Sequence, residues 1–146
     1  MTERTVSPDS PSPAGGEGQA AGLRILLAED DLINQRLGQM VLEKLGHQAV
    51  CVGNGLQALE QLSANPFDVL ILDVEMPELG GLETAARIRS GTSGALDPAI
   101  PILGVSGHGE GPERARCLEA GMNGYLVKPM SIEQIKRALA EIVAGM

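Results

Sequence analysis

Residues 67–73 read Phe67-Asp68-Val69-Leu70-Ile71-Leu72-Asp73, an unbroken apolar run that ends abruptly in an acid. A strand with one wet face alternates apolar and polar side chains. A run without alternation suits a strand covered on both faces, as in a parallel sheet between layers of helix. The same signature recurs at Leu23-Arg24-Ile25-Leu26-Leu27-Ala28, at Ile100-Pro101-Ile102-Leu103-Gly104-Val105 and at Gly124-Tyr125-Leu126-Val127. A weaker version lies at His47-Gln48-Ala49-Val50-Cys51-Val52.

Helical spacing fills the intervals. Ile33, Leu37, Met40, Val41 and Leu45 form one apolar stripe, closed by Gly46. Leu56, Leu59 and Leu62 form a second, and Leu82, Ala85, Ala86 and Ile88 a third. A fourth helix is expected from Gly111-Pro112 to Gly121, with proline in its first turn. A fifth is expected from a Ser131 cap through Ile132, Ile135, Leu139, Ile142 and Val143. Strand and helix thus alternate five times. With right-handed crossovers this predicts an α/β fold, a five-stranded parallel sheet in a flavodoxin-like (βα)5 three-layer sandwich. Periodicity does not set the strand order; the doubly wound order 2-1-3-4-5 is the one expected for five such units.

The bulk properties agree with one globular domain. The chain has 146 residues, 43% hydrophobic and 21% charged. Residues 1–22 are rich in Pro, Ser and Gly and read as a disordered tail or linker, leaving 23–146 as the folded unit. A net charge of -8 opposes nucleic-acid and anionic-membrane partners. Phe67 and Tyr125 are the only aromatic residues, too few for base stacking. No apolar stretch approaches the ~18 residues of a membrane helix. No signal-peptide core opens the chain, so a cytoplasmic location without direct membrane contact is expected. Cys51 and Cys117 fit reduced thiols.

In such sheets the ligand site lies beyond the carboxyl ends of the strands, where strand order reverses. Acids gather there. The first strand runs into Glu29-Asp30-Asp31 and the third into Asp73. Each alone has an ordinary reading, since Asp30 or Asp31 would serve as a helix cap. Together, Glu29, Asp30 and Asp73 on neighbouring strands repel one another unless a cation intervenes. Oxygen donors suit Mg²⁺, and Glu75 is placed to add a backbone carbonyl. The fourth strand ends in Ser106 and the fifth in Lys128-Pro129, bringing a hydroxyl and an ammonium to the same edge. An ionised aspartate can attack phosphorus, and such transfer needs positioning and charge neutralisation above all. Asp73 is the candidate nucleophile, with Lys128 and Ser106 as phosphate contacts.

These motifs resemble the response-regulator receiver domain of two-component and phosphorelay signalling. The likeness covers about residues 23–143 and rests on Leu26-Leu27-Ala28-Glu29-Asp30-Asp31, Leu72-Asp73-Val74-Glu75-Met76-Pro77, Val105-Ser106-Gly107 and Tyr125-Leu126-Val127-Lys128-Pro129. The resemblance implies that Asp73 accepts a phosphoryl group from a phosphohistidine, and that Glu29, Asp30, Asp73 and the Glu75 carbonyl hold Mg²⁺. It makes Ser106 and Tyr125 the switch pair and Lys128 a phosphate contact. It implies a cis Lys128-Pro129 bond. It also implies a protein that promotes its own aspartyl phosphorylation and dephosphorylation rather than a conventional enzyme. Asp31-Leu32-Ile33-Asn34-Gln35-Arg36 and Leu45-Gly46-His47 resemble receivers of hybrid sensor histidine kinases, so a histidine kinase or a histidine-phosphotransfer domain is the implied partner. No output domain is expected after the fifth helix. Protein contacts are then expected to carry the signal, through the fourth helix, fifth strand and fifth helix, or through the first helix.

The alternative is a pseudo-receiver that binds partners without being phosphorylated; the full set Glu29, Asp30, Asp73, Ser106 and Lys128 argues against it. An aspartate-nucleophile phosphatase lacks its hydroxyl motif after Met76-Pro77. A flavin module would set phosphate against Glu29-Asp30-Asp31. The chain also departs from the family pattern. Gly80-Gly81 stands where an acid-glycine pair is usual, and serine replaces threonine at 106. Gly104, Gly107, Gly109 and Gly111 predict a mobile switch loop around His108, itself expected as an exposed loop histidine.

Overall fold

The structure is a computed structural model that describes residues 22–76, 78–107 and 111–145. In chain order the elements are β1 (Arg24–Ala28), α1 (Leu32–Lys44), β2 (Gln48–Val52), α2 (Gly55–Ala64) and β3 (Val69–Asp73). Then follow α3 (Gly81–Ser90), β4 (Ile102–Ser106), α4 (Gly111–Glu119), β5 (Gly124–Val127) and α5 (Ile132–Ala144). The strands form one parallel sheet in the order β2-β1-β3-β4-β5, the order expected for five doubly wound units. Except for Gly22, the expected tail at 1–22 lies outside the described residues, as do His108 and the centre of the glycine-rich loop.

Every residue of β3 and β4 is buried, which is why neither run alternates. Their side chains feed two cores. On one face Leu26, Leu70, Leu72 and Ile102 pack with Ala58 and Leu62 of α2, Ala85 and Ile88 of α3 and Cys117 of α4. On the other, Ile25, Leu27, Val69, Ile71 and Leu103 pack with Leu42 of α1 and with Ile135 and Leu139 of α5. The helices therefore split three and two across the sheet, giving the three-layer sandwich.

The helix starts follow local chemistry. Asp31 caps α1 by accepting from the Ile33 N–H, and Ser131 forms a capping box with Gln134 on α5. The apolar stripe expected to bury α1 is corrected by the structure. Ile33, Leu37 and Met40 are 69%, 55% and 64% exposed, while Gly38 and Leu42 face the sheet. The reason is the spacing between layers. A Cβ on Gly38 would lie 2.7 Å from Leu27 Cδ2, so α1 seats on β1 through its smallest residue and turns its other apolar side outward. In α2, Leu56 is likewise exposed and Gly55, Ala58 and Leu62 are buried. In α3, Thr84 is buried where the stripe had placed Ala86. Both cysteines are free; Cys117 is buried and Cys51 half-buried.

Candidate functional site

β1 and β3 are hydrogen-bonded neighbours that end side by side, with Ala28 opposite Leu72. The residues just past each end therefore meet. Glu29, Asp30 and Asp73 each offer a carboxylate oxygen, and these oxygens lie within 4.8 Å of one another. Glu29 and Asp73 are buried and Asp30 is exposed, so the cluster opens to solvent on one side.

The two buried carboxylates are held alike. Glu29 Oε2 accepts from the Asp31 N–H at 3.1 Å, and Asp73 Oδ1 accepts from the Glu75 N–H at 3.0 Å. Lys128 joins them. Its Nζ donates to Asp73 Oδ2 at 2.9 Å and stands 3.2 Å from Glu29 Oε1. Its reach is set by the end of β5, where the Lys128 N–H donates to the Ser106 carbonyl at 2.7 Å. The Lys128-Pro129 peptide is cis.

Electrostatics follow from this crowding. Burial raises the Glu29 carboxyl above its ordinary range and the Asp73 charge adds to the rise, against the Asp31 N–H and Lys128, which lower it. Burial alone would lower the Lys128 ammonium. The hydrogen bond to Asp73 and the charges of Asp73 and Glu29 outweigh that and hold it above its usual value. One ammonium does not neutralise three carboxylates. The excess negative charge and the all-oxygen donor set fit a hard divalent cation.

Other predicted residues are placed as follows. Ser106 is fully buried at the end of β4, opposite Val127 of β5. Tyr125 lies two positions before Val127, half-buried against the α2–α4 face of the sheet, opposite Gly104. Glu75 follows Asp73 closely and presents an exposed side chain. Gly81 is required beside the site: a Cβ there would fall 2.3 Å from the Asp73 carbonyl oxygen. Sequence reasoning missed Gln35 and Gln57, whose amides close the ends of β1 and β2. No periodicity or charge pattern singles out an uncharged side chain that serves backbone groups.

The family model for the response regulator receiver domain matches residues 25–140. Among curated proteins, the chain is 35% identical over 121 residues to hybrid signal transduction histidine kinase K of Dictyostelium discoideum, covering 80% of this chain and 10% of that protein. It is 37% identical over 117 residues to the sensor histidine kinase RcsC of Escherichia coli K12, covering 80% and 12%. The chain thus spans a small fraction of the length of these relatives. Among solved structures, it is 31% identical to the receiver domain of the sensor histidine kinase PA1611 from Pseudomonas aeruginosa PAO1, which has a magnesium ion coordinated in its active site cleft. The match has a TM-score of 0.75 and covers 85% of this chain and 99% of that one. The Vibrio cholerae chemotaxis protein CheY4, 24% identical, shares the fold with a TM-score of 0.74, covering 84% and 99%.

Proposed function

The chain belongs to the response regulator receiver family of two-component signalling, and on that premise we propose that it is a Mg²⁺-dependent phosphoacceptor with Asp73 as the accepting residue. The observation that carries this reading is the shared ammonium: Lys128 Nζ sits 2.9 Å from Asp73 and 3.2 Å from Glu29 within one carboxylate cluster. In the transfer, an Asp73 carboxylate oxygen attacks phosphorus, a P–O bond forms and the P–N bond to the donor histidine breaks. The electron pair of that bond leaves with the imidazole, and the product is an acyl phosphate. A carboxylate nucleophile needs no base to activate it. Lys128, already at its side, moves onto a phosphoryl oxygen, and the Ser106 hydroxyl takes another. Mg²⁺, when bound by Glu29, Asp30, Asp73 and the Glu75 carbonyl, supplies positive charge to the phosphoryl oxygens. The same groups serve hydrolysis of the acyl phosphate, so the domain promotes both its loading and its clearing. Rearrangement at Ser106 and Tyr125 then biases a protein-contact surface by population shift.

The donor we assign is a histidine on a helical kinase or histidine-phosphotransfer domain, in the cytoplasm. The exposed apolar stripe Leu32, Ile33, Leu37 and Met40 of α1 begins two residues beyond Asp30. A helix packed on that stripe brings its imidazole to the open side of the cluster. Among the described residues no helix is long and apolar enough to cross a membrane. We take residues 1–22 as linker and 23–146 as the receiver unit.

The test is incubation with a small acyl phosphate and Mg²⁺, read by intact mass. The wild type gains one phosphoryl group, chelation abolishes the gain, and Asp73→Asn gains none. Equal gain in Asp73→Asn discards the assignment, and no gain in the wild type favours the pseudo-receiver. Leu37→Arg slows transfer from a phosphorylated histidine domain and leaves loading from the small donor unchanged.

A further inference from the structure

The first helix carries Asn34-Gln35, two polar residues that the phosphoryl chemistry leaves without a task. We propose that Gln35 is a positioning residue of the cation site: its side-chain amide closes the open end of the β1–β2 ladder and so sets the peptide that carries Glu29 and Asp30. The inference rests on the cation reading above.

The ladder between β1 and β2 ends one residue beyond the strands, where the Glu29 N–H donates to the Val52 carbonyl at 3.0 Å. Past that rung the chain turns away into α1 on one side and α2 on the other. The Glu29 carbonyl then loses the ladder partner that a longer β2 would have given it, while the Gly53 N–H faces the open edge of the sheet, and backbone groups left unpaired in such places are costly. Two glutamines take the role. Gln35 Nε2 donates to the Glu29 carbonyl at 2.5 Å and to the Val52 carbonyl at 3.3 Å. Gln57 Oε1 accepts from the Gly53 N–H at 2.7 Å. A Cβ on Gly53 would stand 3.5 Å from Gln57 Oε1 and 4.0 Å from Gln35 Nε2, so both amides lie over that glycine.

The two amides differ in what they hold. The Glu29 carbonyl belongs to the same peptide plane as the Asp30 nitrogen. With the Glu29 N–H tied to Val52 and its carbonyl tied to Gln35, the backbone is fixed on both sides of the Glu29 Cα. The directions in which the Glu29 and Asp30 side chains leave are then set as well. Those carboxylates repel each other and Asp73, and a loose turn would let them spread apart. Gln35 resists that spreading in advance of any cation. Gln57 anchors only the end of β2 and bonds to no member of the acidic cluster. Partners of this kind, one shell out from metal ligands, typically control affinity by orienting them.

The test compares wild type, Gln35→Met, Gln35→Asn and Gln57→Met in two measurements: Mg²⁺ titration by calorimetry and urea unfolding in chelator. Gln35→Met retains length without the amide, and Gln35→Asn retains the amide one methylene short. Each Gln35 variant loses roughly ten-fold or more in Mg²⁺ affinity. Gln57→Met loses similar stability in chelator yet binds Mg²⁺ within about two-fold of wild type. The inference is overturned if a folded Gln35 variant binds Mg²⁺ as the wild type does, or if Gln57→Met weakens binding equally. A wild type that takes up no Mg²⁺ removes the cation reading and this inference with it, which is distinct from equal binding by all four proteins.

Discussion

Gly80 and Gly81 are neighbours with opposite tolerances, and substituting each in turn probes how closely α3 is seated under Asp73. A Cβ on Gly81 would fall 2.3 Å from the Asp73 carbonyl oxygen, 2.8 Å from Val74 Cα and 3.0 Å from the Asp73 carbonyl carbon. All three are backbone atoms, so no side chain can rotate away. Restoring an ordinary contact of 3.4 Å from 2.3 Å means a shift of about 1 Å between α3 and the end of β3. Overpacking of this kind costs about 1–3 kcal/mol. Alanine's better helix propensity returns up to ~1 kcal/mol, so Gly81→Ala loses about 1–2 kcal/mol net. At Gly80 the nearest atom to a new Cβ is the Val74 oxygen at 3.7 Å, an ordinary contact. Gly80 is also the N-cap of α3, with φ -72 and ψ 167 and no side chain to cap the helix. Gly80→Ser supplies that cap and gains a few tenths of a kcal/mol. Urea unfolding followed by far-UV circular dichroism measures both. The same shift moves Asp73, the proposed nucleophile, and misplacement by ~1 Å can cost up to about 100-fold in rate. Gly81→Ala therefore also loads from a small acyl phosphate far more slowly, as read by intact mass. A Gly81→Ala protein as stable and as reactive as wild type would refute the close seating of α3 on Asp73.

Three further outcomes follow from the same coordinates. Leu42→Ala, at a fully buried position of α1, costs about 2–5 kcal/mol, whereas Leu37→Ala on the outward face stays within ~0.5 kcal/mol; urea midpoints separate them. His47 Nδ1 accepts the Leu23 N–H at 3.2 Å, and burial lowers its pKa, partly offset by the Asp68 charge. Because the unfolded chain binds this proton more readily, the contribution is fully present above the ordinary histidine value of ~6.5 and is lost as pH falls below it, with a slope of at most about 1.4 kcal/mol per pH unit. His47→Asn, which can accept the same bond without titrating, flattens the stability curve between pH 7 and 5. Lys128→Met leaves Glu29 and Asp73 without their shared amine and loses about 3 kcal/mol near neutral pH in chelator. Added Mg²⁺ restores part of that loss, whereas it restores little in a Lys128→Met, Asp30→Asn double variant.

Much of this architecture was legible because burial on two faces leaves a plain mark on sequence. The unbroken runs at 69–72 and 102–105 place two central strands, and the strand-end acids converge once the order of strands is set. Asp31 and Ser131 cap the helices their chemistry suited. The face of α1 was not legible. Its apolar residues cover more than one side, and periodicity cannot tell which side meets the sheet when the contact is made by Gly38. Gln35 stayed hidden for a different reason: its partners are backbone carbonyls, which carry no residue identity. Gly81 stands out after Met76-Pro77, but the reason it must be glycine was hidden: α3 approaches the Asp73 and Val74 backbone closely only once the chain has folded back beside the end of β3.

The most direct test of Asp73 as the accepting residue is chemical trapping of the acyl phosphate. After loading with a small acyl phosphate and Mg²⁺, borohydride reduction converts a phosphorylated aspartate to homoserine and releases phosphate. Peptide mapping is predicted to find homoserine at position 73 alone, dependent on Mg²⁺ during loading. Homoserine at position 30 or elsewhere, or an unaltered Asp73 in protein that has gained phosphoryl mass, would contradict it.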